Sequence, residues 1–386
     1  MKIAAITRAP GARDWSQRGR SRGRLVALFA LLLTLSGVAF RSAARASAAP
    51  ISYIPITVNA ANWSYDAGFG SVSPFSMVDS LGVVHLQGAA AQVTATGGDP
   101  LLLGTLPTTA SPSHTVYTIV HTYGGTYADL SIAPNGQIRV LPSNNSNLSF
   151  VSLEGVNFYP GTGTAIRVNA ANWSQNAGFG SVAPAEYRDS SGYVHLLGAA
   201  SQVNATGGDP TLLGSLFYGQ DIPCVDVYTV VHTYEGTYAD LVINNGGEIR
   251  LIAPAGAKLS FVSLEGISYF PQEGCPDYWH AITLTPDWSG SAGYSSGVPV
   301  ADVGPDGIVH LMGAVKRVST SGDPNLIGTL DVGIRPARTV YTIVHTYGGT
   351  YADLSITPDG AVHLLPSSNT NASFVSLEGI TYPLVP

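Results

Sequence analysis

The sequence is short of charge, cysteine, methionine and long apolar runs. Charged residues fill 11% of its 386 positions while hydrophobic ones fill 45%, so the chain can bury enough surface to offset its ordering entropy; intrinsic disorder is excluded. With 18 Lys+Arg against 25 Asp+Glu there is no basic field to hold phosphates, which excludes nucleic acid as a partner. Three Met beside 44 Gly and 25 Pro disfavour long helices. The longest apolar stretch, residues 25–40, has 16 positions and falls short of the ~20 needed to span a bilayer. There is no Gly-x-Ser-x-Gly elbow, no His-Glu-x-x-His and no Gly-rich phosphate loop. The expectation is a protein that is not an enzyme and needs no cofactor or metal.

That apolar stretch follows Lys2, Arg8, Arg13, Arg18, Arg20, Arg22 and Arg24, and leads to Ala46-Ser47-Ala48, a small-x-small cleavage site. Residues 1–48 therefore read as a secretory signal peptide, with an uncleaved anchor as the alternative. Cleavage leaves a secreted or cell-surface chain with no membrane segment. The leader holds nine of the 18 basic residues and one acid, so nine basic and 24 acidic residues remain, a net charge of about −15. Such a surface disfavours anionic polymers and favours neutral glycans. Cys224 and Cys275 are the only cysteines, and in an oxidising compartment one disulfide is the simple expectation. Closing a loop of about 50 residues would stabilise the fold by roughly 4 kcal/mol. Two unrelated thiols are the alternative.

The chain repeats itself. Asn59-Ala60-Ala61-Asn62-Trp63-Ser64 returns at Asn169 and, more loosely, at Thr285. The run from His121 to Leu130 returns from His232 with one change, Glu235, and from His345 with none. Phe-Val-Ser-Leu-Glu-Gly occurs at Phe150, Phe261 and Phe374. The period is about 110 residues, the size of a domain rather than of a solenoid unit. The repeats are assigned to 49–160, 161–273 and 274–386, joined by short linkers.

Each repeat reads as β structure. Val116 to Tyr123 is β-branched and aromatic, Gly124-Gly125 makes a two-residue turn, and a second strand begins at Thr126. Turn signals every 8–12 residues then predict an all-β protein of three tandem antiparallel β-sandwich, jelly-roll-like modules. With that turn, Tyr117, Ile119 and His121 share the core face with Ala128, Leu130 and Ile132. Tyr127 and Asp129, with Tyr238, Asp240, Tyr351 and Asp353, fall on the opposite face and become ligand-facing candidates. His121 is expected to be structural, and His85, beside Val84 and Leu86, to serve a cross-strand hydrogen bond. Asp99, Asp209 and Asp323 read as turn acids, since one carboxylate per loop is far below the 6–8 oxygens calcium takes. Trp63, Trp173 and Trp288 either plug the end of a module or stand exposed as platforms for a sugar ring. Recurring Glu154, Glu265 and Glu378 suggest a shared structural role.

Gly-x-Val-His-Leu-x-Gly, Ile327-Gly328-Thr329-Leu330, Gly333-Ile334-Arg335-Pro336 and Ser376-Leu377-Glu378-Gly379-Ile380 resemble the head domain of bacteriophage tail fibres and receptor-binding proteins. The likeness covers essentially each repeat and is strongest in the third. Asp331 departs from the expected Pro, the first repeat lacks Arg-Pro, and the second has Cys224 in that loop. The resemblance implies a sandwich that binds cell-surface glycans, usually as a trimer. A carbohydrate-binding, lectin-like or adhesion protein of three modules in pseudo-threefold packing is the resulting expectation. A structural surface protein without sugar specificity and a carboxylate-dependent polysaccharide hydrolase are the alternatives.

Overall fold

The computed structural model describes residues 52–143, 146–274, 280–368 and 370–384. The leader and Cys275 lie outside the described residues. Cys224 rests against the end of its own repeat, its amide donating to the Phe270 carbonyl at 3.2 Å.

Within 52–158 the strands are β1 (Ser52–Pro55), β2 (Thr57–Val58), β3 (Trp63–Ser64), β4 (Phe75–Val78), β5 (Val84–Gln87), β6 (Ala89–Gln92), β7 (Leu102–Thr105), β8 (Val116–Thr122), β9 (Thr126–Ile132), β10 (Gln137–Pro142), β11 (Val151–Ser152) and β12 (Asn157–Phe158). They form a four-stranded sheet, β1-β4-β5-β12, and an eight-stranded one, β2-β7-β10-β9-β8-β11-β6-β3, all antiparallel. The same two sheets recur in 164–269 and 280–383. The protein is thus all-β, with three similar modules in tandem. Among the described residues the only helical segments are four three-residue 3₁₀ turns, and no helix is long and apolar enough to cross a membrane.

Each core lies between its two sheets. In the first module Val84, Leu86 and Phe158 of the smaller sheet meet Leu103, Val116, Val120, Leu130, Ile132, Ile138 and Val140 of the larger, all at most 3% exposed. At roughly 1.5–3 kcal/mol per buried aliphatic or Phe side chain, this sandwich supplies the module's main driving force.

The β8–β9 hairpin differs from expectation by one residue. Val116 pairs with Ile132 and Thr122 with Thr126, so the turn contains Tyr123 as well as both glycines. Gly124 and Gly125 both have φ of 78°, which glycine adopts without a Cβ penalty. Because side chains alternate with period two, a one-residue slip exchanges the faces. Val116 and Val120 point into the module core, whereas Tyr117, Ile119 and His121 share the outer face with Tyr127 and Asp129.

That outer face is buried by the other modules. Tyr127, Tyr238 and Tyr351, one from each repeat, meet edge-to-face with ring centroids 5.1–5.4 Å apart, flanked by Ile119, Val230 and Ile343. Such aromatic pairs contribute about 0.5–1.5 kcal/mol each beyond burial. The Tyr127 hydroxyl donates to the Gly236 carbonyl at 3.0 Å and that of Tyr238 to Gly349 at 3.2 Å. Around them Asp129 meets His232, Asp240 meets His345 and Asp353 meets His121, with Nδ1–Oδ separations of 3.0, 3.0 and 3.1 Å. These ion pairs run from first module to second, second to third, and third back to first. The ring closes.

Candidate functional site

The nine residues expected to face a ligand are interior. Trp63, Trp173 and Trp288 are 2%, 2% and 4% exposed and belong to the three module cores, so they are plugs and not stacking platforms. Their indoles differ in one respect. Trp63 and Trp173 Nε1 donate to the Pro100 and Pro210 carbonyls at 3.1 and 3.2 Å, while Trp288 Nε1 is buried without an acceptor. Tyr127, Tyr238, Tyr351, Asp129, Asp240 and Asp353 are buried where the modules meet. Burial is the larger influence on the three carboxyls and pushes each above the ordinary Asp range, Asp240 to about 6, against the opposing pull of its histidine. The ring N–H groups are close to the carboxylate oxygens but not aimed at them, so the attraction is Coulombic more than a directed hydrogen bond.

His85 has a local partner, Asp79 Oδ2 at 2.9 Å, and His195 has Asp189 at 3.0 Å. At the matching point of the third module Gly304 replaces the acid, and His310 Nε2 is buried without a partner. Burial, with His195 and His85 nearby, depresses its pKa, which keeps it neutral. Among the described residues no group of three or more His, Cys, Asp or Glu is arranged to hold a metal. Glu154, Glu265 and Glu378 accept hydrogen bonds from the Gly88, Gly198 and Gly313 amides at 2.8, 2.6 and 2.7 Å. Each is tied to its own module, which is the structural role their recurrence suggested. Asp99 and Asp209 fasten their loops to Arg139 and Arg250, at 2.8 and 2.7 Å.

Three clefts remain between neighbouring modules, and they contain the aromatic residues that sequence reasoning passed over. Phe69, Phe179 and Tyr294 are 56%, 55% and 54% exposed, with φ of 55°, 56° and 56°. Left-handed backbone at a non-glycine residue costs of order 1–3 kcal/mol and persists only where the surroundings enforce it. Here the neighbouring module enforces it. The hydroxyls of Tyr341, Tyr117 and Tyr228 donate to the carbonyls of Phe69, Phe179 and Tyr294, each at 3.0 Å.

Beneath each exposed ring is the same aromatic group. In the first cleft Phe69 leans on Tyr123 and Phe150, and Tyr341 stacks on His121 at 5.4 Å and 13°. In the second, Phe179 leans on Tyr234 and Phe261, and Tyr117 stacks on His232 at 5.4 Å and 15°. In the third, Tyr294 leans on Tyr347 and Phe374, with Tyr228 on His345 at 5.4 Å. The first cleft encloses about 440 Å³ and the second about 400 Å³. The second also carries Glu235, which takes the left-handed turn position of Gly124 and Gly348 and pairs with Lys258. A sequence signal was present: Ala67-Gly68-Phe69-Gly70-Ser71 recurs at 177–181 and, with Tyr294 and Ser295, at 292–296. An aromatic residue bracketed by glycines on a turn is an aromatic held out from the surface.

No family model and no curated protein matches this chain. Among solved structures it is similar to the BP39L lectin of Burkholderia pseudomallei, at 11% identity over 81% of this chain and 82% of that one. The TM-score is 0.13, and at that value the likeness carries no argument about fold or function. Any function has to be argued from the clefts.

Proposed function

We propose that this protein is an exported, non-catalytic carbohydrate-binding protein whose three inter-module clefts each take one sugar residue. The observation that carries the reading is the triplicate strained aromatic: Phe69, Phe179 and Tyr294 stand more than half exposed beside Tyr123, Tyr234 and Tyr347, on backbone that the adjacent module clamps. A ring presented in this way offers an apolar platform to the CH face of a sugar. The clefts are disposed in turn around the closed Tyr and His–Asp contacts, which we read as pseudo-threefold packing of the modules. Three weak sites on one chain would gain avidity for a repeating surface glycan. An acidic chain, at about −15 without its leader, favours neutral glycans. The likeness of the repeats to tail-fibre heads points the same way.

The test is a glycan array probed with the chain lacking residues 1–48, alongside Phe69→Ala, Phe179→Ala and Tyr294→Ala singly and together. Neutral glycans should be bound, each substitution should weaken binding by up to about tenfold, or roughly 1.4 kcal/mol, and the triple variant should not bind. Absence of binding to any glycan, or full binding by the triple variant, refutes the proposal.

A further inference from the structure

The three contacts that cover Glu154, Glu265 and Glu378 are alike in backbone and unlike in what fills them. Two residues before the first strand of the long hairpin, each module reaches over the glutamate of the next. The first module supplies His114 there, and its Nε2 lies 2.8 Å from Glu265 Oε1 with both side chains almost wholly buried. The third module supplies Arg338, whose positive charge acts on Glu154, and the space left beside them is about 20 Å³. The second module supplies Val225. Among the described residues no basic side chain lies over Glu378, and a cavity of about 250 Å³ opens, with room for roughly eight waters. Its walls are apolar: Val225 and Phe270 from the second module, Val298, Val300 and Met312 from the third, with Glu378 at the base. Two further replacements enlarge it, because Val300 and Met312 stand where the first module has Phe75 and Gln87, which line the 20 Å³ space. Val298 is 65% exposed at the rim, which leaves a way in.

We infer that this cavity is a binding site for a small organic cation with an apolar body, its cationic head taking the place over Glu378 that His114 and Arg338 occupy over the other two glutamates. The carboxylate of Glu378 is 7% exposed as a residue and accepts one protein hydrogen bond among the described residues, from the Gly313 amide at 2.7 Å. Burial pushes its pKa up to about 8, with only that amide opposing, so a cation placed beside it supplies the compensation the protein withholds. The apolar walls favour a ring over a hydrated ion such as ammonium. An anion gains no ion pair there and would hold the carboxyl in its protonated form, and among the described residues the walls around Glu378 offer a neutral sugar mainly apolar side chains.

Isothermal titration with benzamidine as the probe tests this on the chain lacking its leader, with benzamide and benzoate as neutral and anionic isosteres. Benzamidine should bind with one equivalent per chain, benzamide at least tenfold more weakly, and benzoate not at all. Val225→His rebuilds the His114 arrangement and should lower benzamidine affinity at least tenfold in a protein that remains folded. Glu378→Gln should reduce benzamidine to the level of benzamide. Three equivalents unaffected by Val225→His would place the probe on the aromatic clefts and overturn the inference. Equal binding of all three isosteres, or no binding of benzamidine, would overturn it as well. Loss or absence of benzamidine binding leaves the glycan array result untouched, so the two readings fail separately.

Discussion

Replacing His345 by Leu removes the imidazole that faces Asp240, and the structure limits what this can cost. With the imidazole protonated, at 3.0 Å and an effective dielectric of about 20, the Coulomb attraction of the pair amounts to roughly 5 kcal/mol. The full loss is not felt, because the carboxyl can take up a proton instead. Burial already holds Asp240 at about 6, and each pH unit of proton affinity corresponds to about 1.4 kcal/mol. At pH 7 a carboxyl with that pKa escapes an unpaired charge for roughly 1.4 kcal/mol. The coupling between His345 and Asp240 should therefore be about 1.5 kcal/mol at pH 7, not the 3–5 kcal/mol lost when a buried pair is broken and the remaining charge cannot neutralise. Urea unfolding of the native chain, His345→Leu, Asp240→Asn and the double variant closes the cycle and cancels the loss of the Tyr228 stack. Below pH 5.5, where Asp240 is protonated before any substitution, the coupling should shrink toward zero. A coupling above about 3 kcal/mol at pH 7, or one unchanged at pH 5, refutes the reasoning.

Glu154 and Glu378 are each pushed from 4.5 to about 8 by burial, so their stabilising contribution is complete below pH 4.5 and is lost as pH rises to 8. The thermal midpoint should climb as pH is lowered from 8.5 to 5.5, and Glu154→Gln or Glu378→Gln should each flatten that slope by about 1.4 kcal/mol per pH unit; a profile unaltered by either would contradict the assignment. Trp173→Phe forfeits the hydrogen bond to Pro210 and should cost about 1 kcal/mol more in chemical denaturation than Trp288→Phe, whose indole N–H has no acceptor. Equal losses would show that the bond contributes nothing. Glu235→Gly relieves a left-handed non-glycine residue and gives up an exposed ion pair, so stability should rise by up to about 1 kcal/mol; a loss would mean that the Lys258 pair outweighs the strain.

The triplication, the all-β class and the hairpins were legible in the sequence, because β-branched runs and paired glycines act locally. The recurring glutamates, read as structural from their recurrence, each accept an amide hydrogen bond within their own module, whereas His121, expected on the core face, lies on the outer one. The register of the hairpin was not legible. Tyr123 can end a strand or join a turn at little local cost, and both faces of β8 and β9 are apolar enough to be the buried one. Both are in fact buried, one by the module's own second sheet and the other by its neighbours. Alternation identifies a core face only where the opposite face meets water, and here that face is largely covered. For the same reason Tyr127 and Asp129 looked exposed, while Phe69, lost among glycines, did not look like a wall of anything. The sequence by itself determined three copies of one β module, since every copy carries the turns that fold it. Tertiary structure alone decided which face each strand turns inward, which histidine answers which aspartate, and where a valine in place of a basic residue leaves a carboxylate beneath an open cavity. Those are matters of contact between modules about 110 residues apart, and no local propensity reaches that far.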